Sequence, residues 1–449
     1  MSVHPIEFRY FSGEMKSIFT EKAKLQNWLR VEAALARAHA RLGNIPGTAA
    51  AEITRKASLK HVRLARVKAI EDKIHHDLMA MVRALSEICA RNAGKYVHLG
   101  ATSYDIEDTA LALQLGAALD IIAEDILRLR NILAALARKT KRLVCVGRTH
   151  GQHAVPTTYG LKFAIYACEF QRHLARLVEA KKRIMVGQMT GAVGTQASFG
   201  KNAGKLQKLI MRELGLRPVF VSNQVIQRDR HAEVVFCLAL AAATAEKIAG
   251  EIRNLQRTEI GEVCEPFGSG QVGSSTMPQK RNPHKSERIC SLARIIRAQV
   301  NPALENISLE HERDLTNSAA ERVIFPEAFI LTDYLLRQLQ DILGRLVISA
   351  DNIRRNLALT DGMIMSERIM IELVARGLGR QEAHELLRRA AGRAFTEKTP
   401  FREVLLADKR LRSFLSAKDL ERCLKPENYI GTAAAQVERV IAELEKKER

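Results

Sequence analysis

A chain of 449 residues is too long for one compact core. With 47% hydrophobic but only 5% aromatic residues, it has an apolar set dominated by Ala, Leu, Ile and Val, which suits close-packed helices. The formal charge of +20 invites a nucleic-acid reading, but the basic residues are dispersed, not gathered in a block, and no aromatics interleave with them. That pattern argues for a solvated surface able to steer a small anion.

Along the chain, residues 1–101 read as an N-terminal helical domain. Proline is absent between Pro46 and Pro156 and glycine is rare there, which favours long helices with breaks near Asn92-Ala93-Gly94 and at Gly100. A long helix is predicted from the Thr102/Ser103 turn, capped by Ser103 or Asp105. Within it Leu115, Leu119, Ile122, Ile126, Leu129, Leu133 and Leu136 recur as a heptad seam. A second helix is expected over about 230–256, with Val234, Leu238, Ala241, Ala245, Ile248, Ile252 and Leu255 on one side. A third starts near His284, and Pro302 should kink or break it. The span 102–350 then forms a central bundle of long helices. Residues 351–449 form a C-terminal helical domain, opening at Ser349-Ala350-Asp351-Asn352 and including a helical run over 380–395.

Helices apolar on more than one face need partners along their length, supplied by a second copy as well as by the bundle itself. The class is therefore all-α with three helical domains. Seven cysteines with no CxxC pair point to reduced thiols, no window is apolar enough for a membrane span, and the N-terminus has no signal core. A cytoplasmic protein acting on neither nucleic acid nor membrane is expected.

The stretch 261–283 interrupts this helical pattern. Gly261, Gly268, Gly270 and Gly273, with Pro266, Pro278 and Pro283, favour neither helix nor strand, so a mobile surface loop that buries no apolar area is expected. It ends in Gly273-Ser274-Ser275-Thr276-Met277-Pro278-Gln279-Lys280-Arg281-Asn282-Pro283, where two hydroxyls, a lysine and an amide crowd together. Upstream lie Gly100-Ala101-Thr102-Ser103-Tyr104-Asp105-Ile106-Glu107-Asp108-Thr109 and Gly147-Arg148-Thr149-His150-Gly151-Gln152-His153. In this order the three segments resemble the signatures of the fumarase/aspartase superfamily, and within it the chain is most similar to the adenylosuccinate lyase family. Arg9-Tyr10, Ser222-Asn223-Gln224, Gln227-Arg228-Asp229-Arg230 and Glu312-Arg313 with Ser318 and Arg322 extend the likeness over nearly the whole chain.

The resemblance implies elimination of fumarate from adenylosuccinate, leaving AMP, and from succinyl-carboxamide imidazole ribotide, leaving AICAR. It also implies a homotetramer with a twenty-helix core and active sites shared between subunits. Such an elimination needs a base, an acid and groups that stabilise a dianionic intermediate, but no cofactor. By resemblance Ser274 is the base, His150 the acid and Glu287 the carboxylate that pairs with that histidine. His76 is a second histidine at the substrate, with the adjacent His75 leaving the register open. Lys280 and Asn282 grip carboxylates, and Gln224 touches the succinyl part. Arg9, Tyr10, Arg313, Ser318 and Arg322 match phosphate- and ribose-binding positions, and Asp77, Thr102, Ser103 and Thr149 complete the set. Arg313 and Arg322 need an intervening bend or a long reach to meet one ligand. The histidine pairs lack an HExxH helix or a Cys/His quartet, so no metal is expected. Argininosuccinate lyase shares the serine loop but acts on a substrate without phosphate. A non-catalytic relative of the crystallin type would not need Ser274, Lys280, Asn282, His150 and Glu287 together.

Overall fold

The computed structural model of the chain describes residues 3–268, 270 and 272–446, so the first two residues, Ser269 and Gln271 of the signature loop, and the last three residues lie outside it. Among the described residues the fold is all-α, with the longest helices at Ser103–Thr140, Tyr159–Ile184, Asp229–Leu255 and Thr316–Gly344. The strands among the described residues form three two-stranded pairs: Val144–Thr149 with Gln152–Thr158, Val186–Gly187 with Arg217–Pro218, and Val263–Cys264 with Val347–Ile348.

The predicted seam is buried from Leu115 to Leu133, but beyond it Ala137, not Leu136, is fully buried. A straight helix has 3.6 residues per turn and slips about 20° per heptad against a 3.5 repeat, so after three heptads the buried stripe passes to the neighbouring position. On Asp229–Leu255 all seven predicted positions are buried, and so are Val235, Ala242 and Ala249, which makes this helix apolar on more than one face.

Proline acts differently in two helices. Pro302 cannot supply the N–H that would bond the Ala298 carbonyl, and the helix His284–Ala298 ends there, followed by a short one over Val300–Glu305. Pro326 lies inside Thr316–Gly344 without ending it. The buried Phe325, Ala328, Phe329, Leu331 and Leu335 around it supply packing that outweighs one lost hydrogen bond.

Two expectations need correction. The stretch around Gly147–His153 is a β-hairpin and not part of a helix bundle. The approach to the signature loop is not wholly exposed, because Val263 and Cys264 pair with Val347–Ile348 while Glu262, Val263 and Glu265 are buried. Glycines flank this segment without entering it, so a short ladder can form.

The chain divides into two compact units. The first comprises Met1–Ile126, Arg172–Ala245 and Ser291–Arg337; the second comprises Leu127–Gln171, Glu246–Cys290 and Gln338–Arg449. A core in the first unit is built on Glu21–Arg41, where Trp28, Leu29 and Leu35 pack with Ile53, Leu78, Met81, Leu206 and Ile210. In the second, the C-terminal helices bury Ile369, Leu373, Leu387, Phe401, Leu405 and Leu411 in a cluster of their own. The helical run predicted over 380–395 spans Arg380–Glu397.

Candidate active site

In the first unit, His75 closes the helix Leu64–Ile74 in the left-handed conformation, with φ of 53°. His76 caps the next helix, Asp77–Glu87, its Nδ1 accepting the Met79 N–H at 3.4 Å. Its other nitrogen, Nε2, is then 3.5 Å from Ser103 Oγ. Of the two adjacent histidines, His76 is the one that meets the Thr102/Ser103 turn.

Asp77 accepts from Arg322 Nη2 at 2.8 Å and from the Leu78 N–H at 2.8 Å, with Lys24 Nζ 3.9 Å away. Burial raises its pKa, but Arg322, the Leu78 amide and Lys24 outweigh burial and leave the carboxyl below its usual value. Glu107 moves the opposite way, pushed up to about 8 by burial and by the Asp77 charge. The turn itself is set by Asp105, fully buried, which accepts Thr102 N–H at 2.9 Å, Thr190 N–H at 2.7 Å and Gly191 N–H at 3.1 Å. Asp105, rather than Ser103, therefore makes the predicted cap.

Arg313 and Arg322 lie on different elements. Asp314 accepts the Thr316 N–H at 2.7 Å and so starts the helix on which Ser318 and Arg322 lie one turn apart on one face. Arg313 precedes that helix and donates from Nη1 to Gln224 Oε1 at 3.0 Å. Ser318 and Arg322 line a cleft of about 180 Å³ with Lys24, Trp28, Tyr104 and Glu107. Arg9 donates from Nε to Tyr10 Oη at 3.2 Å, and the Tyr10 ring rests 5.5 Å from that of Tyr334.

The sequence pattern assigned no site role to a buried ion-pair cluster in this unit. Arg228 is buried and donates to both oxygens of Asp108 at 2.8 Å and to Glu321 Oε1 at 2.7 Å. Burial pulls its pKa down, but the two carboxylates hold it above its usual value. A charged run, Gln227-Arg228-Asp229-Arg230, abutting an apolar helix was the available signal.

In the second unit the hairpin pairs Thr149 with Gln152, leaving His150 and Gly151 as a two-residue turn with φ of 53° and 75°. Two consecutive left-handed residues are what a type I′ turn requires, and the geometry leaves both Thr149 and His150 exposed at the tip. The hairpin base is tied down by Glu262, fully buried, which accepts from Arg148 Nη2 at 2.6 Å, Tyr159 Oη at 2.5 Å and Asn356 Nδ2 at 2.9 Å. Burial raises the Glu262 pKa, but these three hydrogen bonds outweigh it and keep the carboxylate ionised.

The signature loop is cinched at its neck. Gln256 Nε2 donates to the Arg281 carbonyl at 3.0 Å while its Oε1 accepts the Glu265 N–H at 2.9 Å. The Glu265 carboxylate in turn accepts the Lys285 and Ser286 N–H groups at 3.3 and 2.5 Å, where the helix carrying Glu287 begins. Inside the loop, Ser274 Oγ accepts the N–H groups of Thr276 at 3.3 Å and Met277 at 3.1 Å. Two amides aimed at one hydroxyl oxygen favour its ionised form. Asn282 Nδ2 donates to the Gly273 carbonyl at 2.9 Å, and a Cβ on Gly273 would stand 2.1 Å from the Lys280 carbonyl oxygen, so only glycine fits. Lys280, Asn282 and Glu287 line a cleft of about 840 Å³ with Arg253 and Arg257. Among the described residues, no hydrogen bond or ion pair joins His150 to Glu287. Nor does any group of three or more His, Cys, Asp or Glu side chains among them stand ready to hold a metal ion.

A family model described as "Lyase" matches residues 7–297, and one described as "Adenylosuccinate lyase C-terminus" matches 362–440. The chain is 55% identical over 449 residues to an adenylosuccinate lyase of Pyrococcus horikoshii, covering 100% of this chain and 99% of the relative. It is 51% identical over 448 residues to that of Methanocaldococcus jannaschii, covering 100% and 97%. Among solved structures, a fumarate lyase from Mesorhizobium sp. BNC1 superposes with a TM-score of 0.89 at 35% identity, covering 96% of this chain and 98% of that one. The 3-carboxy-cis,cis-muconate lactonizing enzyme of Pseudomonas putida gives 0.91 at 34% identity, covering 99% of both. The serine loop, the hairpin histidine and the full-length likeness agree: the chain belongs to the adenylosuccinate lyase family of the fumarase/aspartase superfamily.

Proposed function

We propose that the protein is a fumarate-releasing carbon–nitrogen lyase of purine biosynthesis. It cleaves adenylosuccinate to AMP and fumarate, and succinyl-carboxamide imidazole ribotide to AICAR and fumarate. The observation that carries this reading is identity above one half, along the whole chain, to relatives named adenylosuccinate lyase. The sites follow by role. Ser274, activated by the amides on its Oγ and by Lys280, removes the proton beside a substrate carboxylate. Lys280 and Asn282 hold that carboxylate, and the dianionic intermediate collapses as His150, oriented by Glu287, protonates the leaving nitrogen. His76, Thr102, Ser103, Thr149 and Gln224 position the succinyl part. Arg9, Tyr10, Arg313, Ser318 and Arg322 hold the phosphate and ribose, with Asp77 beside them.

The active protein is a homotetramer with a twenty-helix core, each chain contributing an N-terminal, a central and a C-terminal helical domain with boundaries near 101 and 350. Exposed Ile165, Val178, Phe236 and Ile295 on long helices support a further layer of packing. The lack of any bond between His150 and Glu287 among the described residues of one chain supports sites completed by other subunits. The protein acts in the cytoplasm, on small molecules and not on nucleic acid; among the described residues no helix is long and apolar enough to cross a membrane.

The test is an ultraviolet assay with adenylosuccinate and, separately, argininosuccinate, each repeated with Ser274→Ala. Turnover of the first alone, abolished in the variant, is expected; turnover of argininosuccinate instead overturns the substrate assignment. Activity that persists in a verified monomer overturns the shared-site reading.

A further inference from the structure

Three arginines of the first unit differ sharply in their partners. Arg228 is neutralised by Asp108 and Glu321, and Arg322 by Asp77. Arg313 has no carboxylate within ion-pair distance among the described residues. Its polar partners are neutral oxygens, Gln224 Oε1 at 3.0 Å and the Asp314 carbonyl at 3.1 Å, and its Nη2 is buried with no hydrogen-bond partner. A guanidinium fixed by neutral groups, with one amino group unsatisfied, is prepared for an anionic oxygen.

What holds it there is Tyr104. The Arg313 Cζ lies 3.4 Å from the centroid of the Tyr104 ring, in van der Waals contact with its face. The ring is 6% exposed and belongs to the first turn of Ser103–Thr140, which Asp105 anchors, so it is a rigid shelf. Its phenol lies close enough to the Ser318 hydroxyl for that group to act on it, and both line one cleft. One side chain therefore neighbours both Arg313 and Ser318.

We propose that Tyr104 is a positioning residue that presents Arg313 and Ser318 to the phosphate end of the nucleotide and thereby tunes affinity for phosphorylated over unphosphorylated ligands. The proposal rests on the reading of Arg313 as phosphate-directed. It acts through the groups that hold the phosphate and not on the reacting atoms, so it enters KM and product inhibition and not kcat.

The test compares Tyr104→Leu, Tyr104→Met, Tyr104→Phe and Arg313→Leu in the full chain, with thermal melting as the check on folding. Each is assayed for KM and kcat with adenylosuccinate and for inhibition by AMP, adenosine and fumarate. Loss of the ring in the Leu and Met variants should raise KM and weaken AMP inhibition roughly tenfold. Tyr104→Phe, which keeps the ring and loses the hydroxyl, should shift both about threefold. Inhibition by adenosine and fumarate, and kcat within about twofold, should stay unchanged in all three. A merely structural tyrosine would move every constant together, which overturns the proposal. AMP inhibition that is unchanged without the ring but lost in Arg313→Leu also overturns it, leaving the phosphate reading intact. AMP inhibition unaffected by Arg313→Leu removes that reading itself.

Discussion

In the first unit, Arg228 and Arg322 are each bonded to carboxylates, His76 is fixed as a helix cap, and Thr102 is tied through Asp105 to Thr190 and Gly191. In the second, Ser274, Lys280, Asn282, Glu287 and His150 sit exposed or half-exposed on a loop and a hairpin tip, and the strong bonds are at the bases: Glu262 under the hairpin, Gln256 and Glu265 at the loop neck. The groups of the first unit are thus largely fixed by bonds within the chain, whereas those of the second stand on anchored supports with exposed or half-exposed tips. A site fixed in advance needs no ordering on binding, whereas groups at exposed tips keep their freedom until a ligand or partner orders them.

Removing the chemistry should leave the fold untouched in the second unit. Ser274→Ala is expected to lower kcat by roughly 10²–10⁴-fold with an unchanged melting temperature, since its hydroxyl bonds only loop amides. The reverse should hold in the first unit. Arg228→Met strands the buried Asp108 and Glu321 carboxylates and should cost about 3–5 kcal/mol in denaturant unfolding; a stable variant would show that the triad is not what braces this unit. Gly273→Ala sharpens the contrast within the loop. The new Cβ meets the Lys280 carbonyl and should displace Ser274, lowering kcat about 100-fold while melting stays the same.

The effect confined to one end of the pH range is that of Glu107. Glu107 has its folded pKa raised to about 8 from 4.5, so the stability it contributes is complete below the usual carboxylate range and is lost as pH rises through about 8. Glu107→Gln should flatten that loss, so the variant gains melting temperature relative to the native chain at about pH 9 but not at about pH 4. Equal differences at both pH values would contradict a titrating Glu107.

Amphipathic period and signature wording sufficed for the long helices at 103–140 and 229–255, the helix start at His284, the break before Pro302 and the family. These features are local: each depends on side-chain spacing or on one missing N–H. The failures are equally specific. The hairpin at 144–158 depends on a left-handed His150, a conformation that the residue's identity permits but that its surroundings decide. The helix through Pro326 survives because distant residues bury its flanks. The roles of Tyr104, Asp108, Arg228 and Glu262 could not be read from the chain, since partners such as Glu262 and Arg148 are 114 residues apart. Sequence alone thus determined the family and which faces of the helices are apolar. Only the tertiary structure decided which charges are neutralised, which are left free, and what holds each in place, because burial and pairing depend on groups brought together from remote parts of the chain.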